Sequence, residues 1–292
     1  MELSINNFFK LIRPHQYIKN LFIFMPLFFV GKITNGELFL NAVMAFVAFS
    51  MTASAIYILN DYQDLAVDRL HPQKKFRPLT SGAISRKAAI IIMVTLFIMG
   101  MSLMAMLSLA AFGILSVYII LNIGYSFYLK HVAIVDVVII SIGFVLRLFV
   151  GSIATETLLS MWIVILTFLL ALFLALAKRR DDVLLFVNKG KKMRKSIDGY
   201  NLQLIDGAMM VMAAVIIVSY ILYTTSIVVL QRIHSEYLYL TTLFVIMGVL
   251  RYLQIAFVEN NSGSPTRIAL GDKFMQLTIL AWVFSFVWIL YL

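Results

Sequence analysis

Nine apolar runs separated by short polar segments limit what this chain can fold into. They cover roughly residues 20–34, 38–59, 87–107, 109–128, 134–154, 160–177, 207–230, 236–257 and 273–292. Most approach the roughly 20 residues that a helix needs to cross a bilayer core. Hydrophobic residues make up 62% of the 292 and charged residues 13%, the latter about half the share of a soluble domain. A soluble fold of this size could not bury so much apolar surface. The expected fold class is therefore all-α: a polytopic membrane bundle of about nine transmembrane helices, forming a single integral membrane domain over residues 1–292. The first run is the weakest, because Pro26 and Gly31 interrupt it. The third and fourth runs meet near residues 107–110 with almost no polar loop.

Charge sets the expected orientation. With a cytoplasmic N-terminus, 21 of the 24 Lys and Arg fall on segments facing the cytoplasm. Lys32 and Arg232 fall on outer segments, and Arg147 lies within a run. Such asymmetry predicts an N-in, C-out topology. The net charge of +10 is then an orientation signal first, with contacts to anionic headgroups second. No nucleic-acid partner is implied. The chain contains no cysteine, which excludes disulfides, thiolate metal sites and cysteine nucleophiles. The N-terminal stretch lacks a cleavable-signal pattern, so the first helix is expected to be retained.

Two polar segments exceed what topology requires: 60–86, following the second run, and 178–206, following the sixth. Within Leu59–Gly82, Asn60, Asp64 and Asp68 stand at i, i+4 and i+8. On a helix they share one stripe, where like charges are unfavourable unless neutralised. A divalent cation would neutralise them. Magnesium takes oxygen ligands from one or two carboxylates and completes its shell with substrate phosphates and water. Asn60, Asp61, Asp64 and Asp68 are thus candidate metal ligands, with Asp64 and Asp68 as candidate catalytic residues. Lys74, Lys75 and Arg77 follow as bases for phosphate oxygens. The bland alternative is a solvated loop at a helix end. It is disfavoured because Asn60 and Asp61 directly abut an apolar run, where acids tend to be functional.

The second segment opens with Lys178, Arg179, Arg180, Asp181 and Asp182. Lys178 and Asp182 could be an ordinary i, i+4 helix pair. Alternatively, Asp182 completes the metal site while Lys178, Arg179 and Arg194 bind a phosphate, with Asp198 and Tyr200 close by. Arg13, His15, Gln16, Lys19 and Asn20 form a polar entry to the first run. Of these, Arg13 and Lys19 are candidates for phosphate binding. Asp136 lies near one end of the fifth run. Arg147 lies towards the other end, where snorkelling or an ion pair is expected. His71 is a weak candidate beside the carboxylate stripe. The four histidines are too widely spaced for a zinc site.

These residues resemble a known pattern. NDYQDLAVD at 60–68 is similar to the NDxxDxxxD signature of the UbiA superfamily of membrane prenyltransferases. That resemblance implies a nine-helix bundle with Mg²⁺ and diphosphate bound beneath cytoplasmic caps. RPHQYIKN (13–20), DRLHPQKKFRPLTSG (68–82), GFVLRLFVG (143–151), LALAKRRDD (174–182) and SPTRIALGD (264–272) resemble the decaprenyl-phosphate phosphoribosyltransferase branch. The superfamily's second motif usually carries two aspartates at DxxxD spacing. Here Lys178 stands where the first acid is expected, which departs from the aromatic-acceptor enzymes and suits the phosphoribosyl branch. The resemblance implies transfer of 5-phosphoribosyl from phosphoribosyl diphosphate to a polyprenyl phosphate, with Mg²⁺ as cofactor. It also implies a multi-pass protein of the cytoplasmic membrane whose active site faces the cytoplasm. A homo-oligomer remains open. The alternatives are a UbiA-type enzyme that moves a prenyl group from a prenyl diphosphate to an aromatic acceptor, and a membrane transporter. A transporter would distribute acids along several spans, whereas here they cluster at helix ends.

Overall fold

The computed structural model describes residues 5–70, 74–189, 195–233 and 235–291. Its regular elements are all helical. In chain order they are α1 (Ile5–Ile12), α2 (Met25–Phe29), α3 (Gly36–Gln63), α4 (Leu65–Leu70), α5 (Arg86–Leu107), α6 (Leu109–Phe127), α7 (Val135–Ala154), α8 (Met161–Lys189), α9 (Leu202–Thr225), α10 (Ile227–Ile233), α11 (Thr242–Phe257), α12 (Pro265–Gly271) and α13 (Lys273–Tyr291). Short 3₁₀ segments join several of them. Among the described residues, eight helical stretches are long and apolar enough to cross a membrane.

The expected first span is not one of the eight. Residues Pro14–Phe24 form a 3₁₀ segment, and α2 adds only five residues before the chain turns. Pro14 and Pro26 each sit at a helix start, where the missing N–H costs nothing. Gly31 takes φ 75°, a left-handed conformation that glycine adopts without strain. The uncertain border between the third and fourth runs falls at Ser108. Its extended backbone ends α5, and its hydroxyl accepts from the Ala111 N–H to cap α6.

The chain divides into two compact units. One comprises residues 1–128 and 146–159, the other 129–145 and 160–292, so the division falls inside α7. In the first unit α3 is the central helix. Its buried face is rich in small residues: Ala42, Ala45, Ala48, Ser50, Thr52, Ala53, Ser54 and Ala55. Small side chains let backbones approach closely where lipid supplies no hydrophobic drive for association. α5 uses this face most, and a Cβ at its Gly100 would overlap the Thr52 side chain and the Ala48 carbonyl. Gly151 of α7 lies against the Ile23 carbonyl so tightly that no Cβ fits. The second unit pairs α8 with α9 and α11 with α13. Its core includes Val137, Phe173, Ala177, Ile205, Met209, Tyr252 and Ile255.

Candidate active site

In the first unit, the polar site grows out of the C-terminal end of α3. The helix ends at Gln63 and Asp64 is its C-cap. The Asp64 N–H still bonds the Asn60 carbonyl (3.0 Å), and the Asp68 N–H bonds the Asp64 carbonyl (2.8 Å). The i→i−4 pattern therefore runs through the break, and the Asn60–Asp64–Asp68 register of the sequence is kept. The Ser126 hydroxyl of α6 is shared between the Asn60 side-chain oxygen and the Asn122 carbonyl. Nothing in the sequence pattern marks Ser126; its role depends on how α6 packs.

Two of the acids are deeply buried: Asp61 is 2% exposed and Asp68 1%. Buried carboxylates need partners, and both have guanidinium groups. Arg13, held at φ 55° between α1 and the following 3₁₀ segment, donates to both oxygens of Asp61. Arg77 Nη1 bridges the pair, 3.0 Å from Asp61 Oδ1 and 2.5 Å from Asp68 Oδ2. Lys74 Nζ lies 3.8 Å from Asp68 Oδ1. The structure thus brings together five predicted site residues (Arg13, Asp61, Asp68, Lys74 and Arg77). Asp64 and Asn60 are half-buried beside them on the same stretch of chain. His15 is held below the usual imidazole range by burial and by the neighbouring Arg13 and Lys19 cations.

Lys19 is half-buried further along the 3₁₀ segment. Its neighbour Asn20 donates to Ser50 Oγ and accepts from Arg147 Nε at 2.8 Å. Arg147 does not snorkel. It is 4% exposed, bonds the Tyr118 hydroxyl, and lies over the paired rings of Phe49 and Tyr118, 4.8 and 5.1 Å from their centroids. Two aromatic faces and an amide oxygen stabilise the cation in place.

In the second unit, the run from Lys178 to Asp182 is helical, continuing α8 without a break. Adjacent residues point in different directions and acquire different partners. Arg179 is 1% exposed and lies between two carboxylates, with Nε 2.6 Å from Asp136 Oδ2 and Nη1 2.7 Å from Asp182 Oδ2. Its guanidinium faces acids inside the protein. Arg180 bonds Asp206, the Ala256 carbonyl at the end of α11, and Asn260. Asp181 packs onto Gly263, where a Cβ would overlap its carboxylate. Lys178 is exposed and Asp182 half-buried. The Tyr200 hydroxyl donates to Asp136 Oδ1 at 2.7 Å and accepts from the Ile134 N–H at 2.7 Å. Burial and the hydrogen bond to Asp136 both raise the Tyr200 pKa, keeping the phenol protonated as a donor. Asp198 is exposed on the adjoining 3₁₀ segment. Arg194 and His71 lie outside the described residues.

The donor set suits a hard divalent ion. Asn60, Asp64 and Asp68 offer amide and carboxylate oxygens, with no sulfur and no converging imidazoles. Among the described residues, no three His, Asp or Glu side chains come together as a preformed metal cage.

The model of the UbiA prenyltransferase family matches residues 21–280 of this sequence. The chain belongs to that family. It is 32% identical over 288 residues to the decaprenyl-phosphate phosphoribosyltransferase of Corynebacterium glutamicum, covering 97% of this chain and 86% of that one. The enzyme of the same name from Mycolicibacterium smegmatis is 30% identical over 289 residues, covering 96% and 91%. A UbiA homologue from Archaeoglobus fulgidus, solved bound to GPP and Mg²⁺, superposes with a TM-score of 0.72 at 19% identity over 96% of this chain and 99% of that one. The same homologue was also solved bound to Cd²⁺. The protein is therefore a multi-pass membrane protein and a UbiA-family transferase.

Proposed function

We propose that the protein transfers the 5-phosphoribosyl group from phosphoribosyl diphosphate to a polyprenyl phosphate, releasing diphosphate. The observation that carries this reading is the alternation of carboxylates and bases at the end of α3, continued by a lysine in the second motif. Asp61 and Asp68 are interleaved with Arg13, Lys74 and Arg77, and Lys178 stands on α8 where the aromatic-acceptor pattern has an acid. A donor with a diphosphate and a 5-phosphate, joined to an acceptor that is itself a phosphate, presents three anionic groups. Such a load calls for more bases than a prenyl diphosphate and an aromatic acid would. The similarity to decaprenyl-phosphate phosphoribosyltransferases over nearly the whole chain supports the same choice.

In the reaction, the bond from ribose C1 to the diphosphate oxygen breaks and a bond from C1 to the acceptor phosphate oxygen forms. Asn60, Asp64 and Asp68, with Asp61 beside them, would hold Mg²⁺. When bound with diphosphate, the ion neutralises charge developing on the leaving group. Lys74 and Arg77 turn from their carboxylate partners towards phosphate oxygens, where they stabilise the same charge. Arg13 keeps Asp61 in place and, with Lys19, contributes positive charge for a further phosphate. On α8, Asp182 would be a further carboxylate ligand for the metal, and Lys178 is a base for phosphate oxygens. Arg194 would be a further base for phosphate oxygens; the Tyr200 hydroxyl gives its one proton to Asp136, which leaves it no donor for a phosphate. The acceptor is already an anion at neutral pH, so the chemistry requires no strong general base. The isoprenoid chain stays in the bilayer among the apolar helices, and the soluble donor arrives from the cytoplasm at the inner membrane face.

The test uses purified protein with Mg²⁺, labelled phosphoribosyl diphosphate and polyprenyl phosphates of several lengths. Label should move into the organic phase. Absence of transfer, alongside prenylation of an aromatic acid from a prenyl diphosphate, would reverse the assignment.

A further inference from the structure

Asp136 is the most buried acid of the second unit, at 0% exposure, and no step of the reaction above uses it. It occupies the first turn of α7, where the helix dipole favours a negative charge. Three groups converge on its carboxylate: Arg179 Nε at 2.6 Å, the Tyr200 hydroxyl at 2.7 Å and the Ser196 hydroxyl at 3.3 Å. The preceding turn is shaped to make this possible. Ile134 sits at φ 69°, a strained conformation for a β-branched residue, and its N–H bonds the Tyr200 oxygen. Gly199 lies so close to Ala133 that no Cβ fits. The 3₁₀ segment Lys195–Gly199 is thereby docked on the start of α7, with Tyr200 aimed at Asp136.

Arg179 links this buried arrangement to Asp182. It spends Nε on Asp136 and Nη1 on Asp182. One face of the guanidinium fork is anchored in the interior, and the other fixes a carboxylate that still reaches the surface. We infer that Asp136 is a positioning residue, acting through Arg179 to set the orientation of Asp182 as a metal-ligating carboxylate. This rests on the role given to Asp182 in the proposed reaction. The logic is that of an outer group that orients a ligand carboxylate, where loss typically costs about 10–100-fold in affinity or activity. Lysine could not replace Arg179, because a single ammonium cannot offer two divergent N–H groups in a rigid plane.

The experiment measures binding of magnesium with inorganic diphosphate by calorimetry, which requires no phosphoribosyl transfer. Wild type, Asp136→Asn, Asp182→Asn and the double variant are compared, with melting temperature in detergent recorded for each. Asp182→Asn should weaken binding, and Asp136→Asn should weaken it about 10–100-fold. The double variant should bind no worse than Asp182→Asn alone, because both changes break one pathway. Tyr200→Phe keeps the ring, removes one anchor of Asp136, and guards against a misfolded Asp136 variant. It should weaken binding several-fold with melting close to wild type. The inference is overturned if Asp136→Asn and Tyr200→Phe bind as wild type does, if Asp182→Asn binds normally, or if the double variant shows the product of the two single losses. A normal binding cycle in a protein that fails to move phosphoribosyl would instead count against the reaction and leave the positioning role intact.

Discussion

The proposed reaction turns on single residues: carboxylates that are held by guanidinium groups and would exchange them for phosphate and metal. Asp64→Asn and Asp68→Asn should each abolish transfer while the protein stays folded in detergent; wild-type turnover in both would remove the metal assignment. Arg77→Gln should behave differently. Asp61 keeps Arg13 as a partner, so the fold survives, but Asp68 loses its closest cation and the diphosphate loses a bidentate donor. Donor KM should rise about tenfold or more, in keeping with the roughly 1.5–3 kcal/mol of a charge-assisted hydrogen bond, and melting should fall slightly. The i, i+4, i+8 spacing of Asn60, Asp64 and Asp68 was legible in the sequence because helical register is local, and backbone hydrogen bonds keep that spacing on either side of Asp64. The partners of Asp136 were not, since Arg179 and Tyr200 lie 43 and 64 positions away. Arg147 misled for a related reason. Position within a run suggests snorkelling, but Phe49, Tyr118 and Asn20 come from three other segments and hold the charge inside.

At the scale of elements, hydropathy located the long helices well, and the structure departed from it where backbone chemistry intervened. Pro14, Pro26 and Gly31 turned the first apolar run into a 3₁₀ segment and one short helix, although its composition matched a span. Tight helix contacts carry predictions of their own. Gly151→Ala places a methyl group against the Ile23 carbonyl, and a backbone atom cannot rotate away. Overpacking of this kind costs about 1–3 kcal/mol, so melting should drop measurably in detergent; an unchanged melting curve would show that the two segments can separate freely. The join of α12 and α13 should respond to acid. Asp272 is held below the usual carboxylate range, first by its hydrogen bonds to Arg251 and then by the Met275 N–H. A depressed carboxylate stabilises the fold above its unfolded value, and that contribution is lost as pH falls through the lower, folded value. Asp272→Asn should therefore flatten the acid limb of the stability profile below about pH 4, while leaving the slope near neutrality unchanged.

At the scale of the whole molecule, the charge distribution predicts which face meets the donor. The absence of cysteine makes this simple to measure. A single cysteine at Ser81 should be protected from a membrane-impermeant maleimide in intact cells and become reactive after lysis. One at Glu236 should react in intact cells. The opposite pattern would invert the topology and place the carboxylates away from cytoplasmic nucleotides and sugar phosphates. Membership of a prenyltransferase family accounts for the clustering of acids at helix ends, which a transport pathway would have distributed along the spans. Lys178 in the second motif is the sharpest mark of the proposed donor in the chain. The most direct test is mass analysis of the lipid product together with diphosphate release, starting from C1-labelled phosphoribosyl diphosphate and a polyprenyl phosphate. Phosphoribosyl transfer requires one diphosphate released for each lipid that gains a labelled phosphoribosyl group. An unmodified lipid under these conditions, with prenyl diphosphate consumed when an aromatic acceptor is supplied, would contradict it.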